Sequence, residues 1–186
     1  MKKRSTYLSV DLIGNINSFN SKRIAQHVVA DNLMNDLVKL CFDKDHLISS
    51  RAAWVIWHCF ELEKKIVLPY FDTLIDNLKN EHLPNGVIRN TLRLFQKYPV
   101  PQKKESQMLD ICYGFIIDSG QAIAVRAFAM TVIYNISLPY PELLLEFKGM
   151  LIHINHPEES AGIKSRIRNT LRQIEKLSIK NHKLLS

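Results

Sequence analysis

The chain is predicted to fold as an all-α right-handed superhelix of about four helix pairs plus amino-terminal helices, and three observations predict it. The pentapeptide Arg89-Asn90-Thr91-Leu92-Arg93 recurs letter for letter as Arg168-Asn169-Thr170-Leu171-Arg172, 79 residues later, which is about twice the ~40-residue period of stacked helix pairs. Pro99-Val100-Pro101 and Pro139-Tyr140-Pro141 stand 40 residues apart. Ser50-Arg51-Ala52, Arg89 and Val125-Arg126-Ala127 follow one another at 38 and 37 residues, each near the opening of an expected helix. Residues 1–186 therefore read as one repeat domain.

Proline and glycine punctuation divides that domain into elements. Residues 1–30 are expected to cap the amino end, Ser21 to Ala30 being the clearest helix there. The pair 31–62 comprises Asn32 to Phe42 and His46 to Leu62, with Asp45 placed to cap the second helix. The pair 63–98 comprises Lys64 to Lys79, with Pro69 assigned to the vicinity of its first turn, and Gly86 to Tyr98. The pair 99–137 comprises Lys103 to Ile117 and Gln121 to Ser137 around the turn Asp118-Ser119-Gly120. The pair 138–178 comprises Glu142 to Ile154, with Pro141 at its first position, and Gly162 to Leu177; residues 179–186 form a tail. The helices carrying Ala52 to Trp57 and Ala122 to Ile133 are apolar over more than one face, as expected of inner helices covered on several sides. The last helix instead has one narrow stripe, Ile163, Ile167, Leu171, Ile174 and Leu177, suited to a polar end cap.

A chain that is 46% hydrophobic and 23% charged suits a folded globule, not a disordered one. No stretch approaches the ~20 apolar residues of a membrane span. The segment Tyr7 to Gly14 is interrupted by Asp11 and lacks a cleavage pattern, so no signal peptide is expected. Cys41, Cys59 and Cys112 are odd in number and lie in apolar patterns, which fits reduced thiols and a cytoplasmic location. The net charge of +7 is uneven: residues 161–186 carry +6, residues 1–42 carry +3 and residues 43–160 carry −2. A uniformly positive groove for nucleic acid is thus not supported.

The step from Asp45 to Arg51 and the opening Val125-Arg126-Ala127 resemble the HEAT-like and armadillo-like α-solenoid superfamily. Ser50 to Trp54, Ala124 to Met130, Ile133-Tyr134-Asn135 and Ser160 to Arg166 resemble a group of short bacterial HEAT-like proteins, from about residue 20 to the end. Two pairs depart from the pattern: no Asp stands at the expected distance before Arg89, and Asp118 lies two residues farther from Arg126 than Asp45 does from Arg51. The resemblance implies a scaffold. An adenylosuccinate lyase activity is not expected, because that superfamily is much longer and uses a Ser-Ser-x-Met-Pro loop that this chain lacks.

Candidate partner-binding residues are Arg93 and the in-register arginines Arg51, Arg89, Arg126 and Arg168, which could form a ladder for carboxylates or phosphates. The resemblance favours instead a contact from each in-register arginine to an acidic or carbonyl group at a neighbouring turn. Trp54 and Trp57 could grip a partner's side chain or a base, as aromatics do in a HEAT-like class of DNA glycosylases; their apolar neighbours favour core packing for both. Lys164, Arg168, Arg172 and Lys176, four apart, form a basic stripe on the last helix. His153, His156, Glu158 and Glu159 offer metal-ligand chemistry without ligand spacing, and no catalytic signature, metal or cofactor is expected. The resulting expectation is a non-enzymatic module binding a protein or peptide on a concave face made by the second helices, with nucleic-acid binding or DNA repair as the alternative and no membrane partner.

Overall fold

The computed structural model describes residue 8 and residues 20–184, with side chains described to residue 177. The cap expected before residue 20 and the side chains of the tail lie outside the described residues. Among the described residues every regular element is helical, and no helix is long and apolar enough to cross a membrane. The chain falls into two compact units, Met1–Lys104 and Glu105–Ser186.

The first unit holds α1 (Ser21–Ala30), α2 (Met34–Leu40), α3 (His46–Leu62), α4 (Phe71–Asn77) and α5 (Asn85–Lys97). Helix α3 begins where expected: the Asp45 carboxylate accepts from the backbone N–H of Leu47 at 2.8 Å and of Ile48 at 3.3 Å, satisfying donors that a helix start leaves open. It is the inner helix of the unit and packs on α1, α2 and α5, which explains apolar residues over most of its circumference. Gly86 permits the α3–α5 approach, because a Cβ there would lie 2.6 Å from the Cβ and Oγ of Ser50.

The helix expected from Lys64 to Lys79 is broken. In its place are two 3-10 turns, Lys64–Ile66 and Leu68–Tyr70, followed by α4. Pro69 stands five residues after Lys64, beyond the first turn, where its missing N–H and its ring oppose an α-helix. The backbone bonds at three-residue spacing instead, Val67 N–H to the Lys64 carbonyl and Tyr70 N–H to the Val67 carbonyl, each at 3.0 Å. Phe71 then enters an aromatic cluster with Phe60, Phe95 and Tyr98. Lys103 and Lys104, both in a 3-10 turn following α5, reach back to Asp72 and Asp76 of α4 at 2.5 and 2.6 Å.

The second unit holds α6 (Glu105–Ile117), α7 (Ile123–Ser137), α8 (Pro141–His153) and α9 (Ala161–Leu184). Helix α7 is its inner helix and packs on α6, α8 and α9. The α6–α7 turn is closed by the Asp118 carboxylate, which accepts from Gly120 N–H at 2.9 Å. The α9 helix runs seven residues past the expected end at Leu177.

The buried stripes give the repeat its register. Ile48, Ala52 and Val55 of α3 correspond to Val87, Thr91 and Leu94 of α5, to Val125, Ala129 and Val132 of α7, and to Ile163, Ile167 and Thr170 of α9, all buried. The leading residues are 39, 38 and 38 residues apart. By this measure α5 and α9 are 76 residues apart, so the pentapeptide match at 79 is three residues out of register. Three residues is nearly one helical turn, so Thr91 and Thr170 both face inward although they occupy successive rungs.

Candidate interaction surface

The arginines that seemed aligned occupy unlike positions, because counted from the leading stripe residue they stand at the third, second, first and fifth places after it. Arg51 and Arg126 are buried, and Arg89 and Arg168 are exposed. They do not form a ladder. Arg126, only 3% exposed, donates through Nε and Nη2 to the Ile116 carbonyl at 3.3 and 3.1 Å, and through Nη1 and Nη2 to the two Glu159 carboxylate oxygens at 3.0 and 2.7 Å. That bidentate bond holds the Glu159 carboxyl below the usual carboxylate range. Glu159 also accepts from the Ser160 backbone N–H at 2.8 Å. Arg126 thereby ties the carboxyl end of α6 to the α8–α9 turn, the contact with a neighbouring turn that the resemblance implied. The residue matching Arg51 in α9 is Arg166, unremarked in the sequence, whose Nη1 donates to Thr131 Oγ1 at 3.3 Å.

The tryptophans separate. Trp57 is half-buried, stacked with Phe60 at a centroid distance of 5.9 Å, and the Arg93 guanidinium lies 5.4 Å from its ring centre. Trp54, expected in the core, is 41% exposed. It lies on the side of α3 that α1, α2 and α5 leave open, a distinction its apolar sequence neighbours could not reveal. Beside it His58 shares a hydrogen bond with the Glu61 carboxylate at 2.7 Å, and its ring centre is 6.3 Å from that of Trp54. Where α1 meets α3, Lys22, Gln26, His58, Glu61 and Leu62 line a groove of about 290 Å³. Burial and the neighbouring Arg89 charge lower the pKa of Arg93, against an opposing pull from Glu61.

These contacts join α1, α3 and α5 of the first unit into one surface. It carries Lys22 and Gln26 from α1, Trp54, Trp57, His58 and Glu61 from α3, and Arg89 and Arg93 from α5. The sequence marked Trp57 and Arg93 separately without joining them, and it missed Lys22, Gln26 and Glu61.

In the second unit the α9 stripe is real but unequal. Lys164 Nζ donates to the Pro157 carbonyl, while Arg168, Arg172 and Lys176 are exposed. The rings of His153 and His156 meet edge to face at 5.9 Å, and among the described residues no three His, Cys, Asp or Glu side chains gather as a metal set. Cys41, Cys59 and Cys112 are buried free thiols. Burial pushes the Cys59 thiol up to about 12 and raises the other two as well, which disfavours the reactive thiolate.

With helix pairs, a repeat of 38 to 39 residues and inner helices in place, comparison with protein families is decisive. The HEAT repeat domain matches residues 8–174. The chain belongs to the HEAT repeat family. No curated protein and no solved structure matches it. HEAT repeats generally mediate protein interactions, and the HEAT stacking accounts for the wide apolar belts of α3 and α7, each covered by three other helices.

Proposed function

We propose that this HEAT chain is a non-enzymatic interaction module that binds a protein or peptide on the face formed by its second helices. The observation that carries this reading is the arrangement on α3 and α5: an exposed tryptophan, Trp54, next to a second indole, Trp57, with Arg93 over it. Tryptophan and arginine are the side chains most enriched among residues that dominate protein interfaces. Large exposed indole area is costly in water, and a partner's side chain would remove it from solvent.

The test is capture from an extract of the source cells on immobilised full-length protein. A partner retained by the wild type is expected to be lost with Trp54→Ala and kept with Leu145→Asp, a change on α8 at a side chain 71% exposed. The opposite pattern would move the interaction to the outer helices and end this reading.

A further inference from the structure

We propose that the α1–α3–α5 surface takes an acidic peptide segment of a partner protein, with an aromatic or large aliphatic side chain seated on Trp54 and flanking carboxylates at Arg89 and Arg93. The proposal rests on the function proposed above and adds the chemistry of the partner.

The apolar part of the site is a strip along α3. Leu47 and Trp54, two turns apart, are 43% and 41% exposed, with Ser50 between them. The strip is narrow, because Gly86 of α5 presses against Ser50 at one edge. One bulky side chain fits such a strip better than a broad apolar surface does.

The charged part selects the rest of the ligand. Arg89 and Arg93 are one turn apart on α5, and Lys22 borders the groove on the α1 side. The carboxylate within this frame, Glu61, is engaged by His58. Beside Arg93, which already meets the Trp57 ring and feels Glu61, the surface presents the exposed cations Arg89 and Lys22; Arg89 and Arg93 repel each other, a repulsion that a partner carboxylate relieves. A basic peptide would meet like charge on both sides of Trp54. A nucleic acid would find a short basic patch interrupted by Glu61, where duplex or single-strand binders use an extended basic track. Arg93 is also held in advance by the Trp57 ring, so less rotamer freedom is lost when it engages a carboxylate.

The experiment is fluorescence anisotropy with the full chain and four labelled probes. These are a short Asp/Glu peptide with one central phenylalanine, the same peptide with serine for phenylalanine, the same peptide with lysine for each acid, and a thymidine oligonucleotide. The phenylalanine-bearing acidic peptide is expected to bind tightest, with its affinity falling as salt rises. Trp54→Ala and Arg89→Glu, both at exposed positions and both checked for unchanged helical spectra, are each expected to weaken it by about tenfold or more. Binding of the lysine peptide or the oligonucleotide more tightly than the acidic peptide overturns the proposal. If that lysine peptide still depends on Trp54, the second-helix face survives and only its acid preference fails. Acidic-peptide binding indifferent to both substitutions, or no binding by any probe, removes the site as well.

Discussion

Arg93 in the first unit and Arg126 in the second are the same side chain on second helices of the same kind of stack, one half-buried and the other enclosed. Arg126 is enclosed, and its guanidinium donates to one carbonyl and one carboxylate of its own unit. Arg93 lies over an indole at the edge of an exposed aromatic surface. Recurrence of arginine at roughly repeat spacing therefore does not define a repeated function. What separates the two is the kind of counter-group: Glu159 holds Arg126 by a bidentate bond from 33 residues away, whereas Arg93 packs on the Trp57 ring and feels the charge of Glu61.

The contrast breaks most decisively at Arg126. Arg126→Leu leaves Glu159, whose side chain is 13% exposed, with its charge uncompensated, and the expected loss is about 3–5 kcal/mol by urea unfolding. Arg126→Leu combined with Glu159→Leu should recover much of that loss, since no enclosed charge remains. A single substitution costing less than about 1 kcal/mol, the range of an exposed ion pair, would show that the clamp is not structural.

The same clamp gives a pH signature of definite sign. The folded-state pKa of Glu159 is depressed chiefly by the hydrogen bonds from Arg126. Its contribution is therefore fully present above the unfolded-state pKa, about 4.3 for a glutamate, and is lost as pH falls through the lower folded value. The stability difference between wild type and Glu159→Gln should be constant near neutrality and shrink below about pH 4. A difference that grows on acidification would contradict the assignment.

A smaller effect is expected where α3 and α5 meet. Gly86→Ala would put a Cβ 2.6 Å from Ser50, whose Cβ is fixed to the α3 backbone, so the helices must separate at a cost of about 1–3 kcal/mol. Gly149 of α8 is the control, because a Cβ there meets nothing within 4 Å. Gly149→Ala should stabilise by about 0.5–1 kcal/mol through helix propensity. Equal responses at the two glycines would mean that the α3–α5 contact is not close.

How far the sequence could be read follows from the same distinction between local and distant causes. The Asp45 cap and the Pro141 start were legible because they act within a turn of helix. The break before α4 is not expected from the sequence although its cause, Pro69, is local: the reading sets Pro69 in or near the first turn, and a helix from Lys64 places it beyond. The pentapeptide pointed to the right fold in the wrong register, since a three-residue slip preserves the buried face. Exposure of Trp54 and pairing of Arg126 with Glu159 were not legible, because both depend on which distant helices cover a given side.

The smallest expected effect sharpens the comparison from the Arg93 side. A guanidinium over an exposed or half-buried indole contributes about 0.5–1 kcal/mol, so Arg93→Ala should lower stability by about that amount and leave the helical spectrum unchanged. Because Phe60 also packs on Trp57, the single substitution Trp57→Leu mixes core packing with the cation–ring contact. A double-mutant cycle of Arg93→Ala and Trp57→Leu removes that ambiguity by isolating the pairwise part. The coupling should be about 0.5–1 kcal/mol and should persist in high salt more than an exposed ion pair would, since the ring carries no net charge. A coupling comparable to the Arg126–Glu159 pair would mean that Arg93 is itself a structural clamp. Arg93 would then be no more available to a partner than Arg126 is, and the difference between the two arginines would disappear.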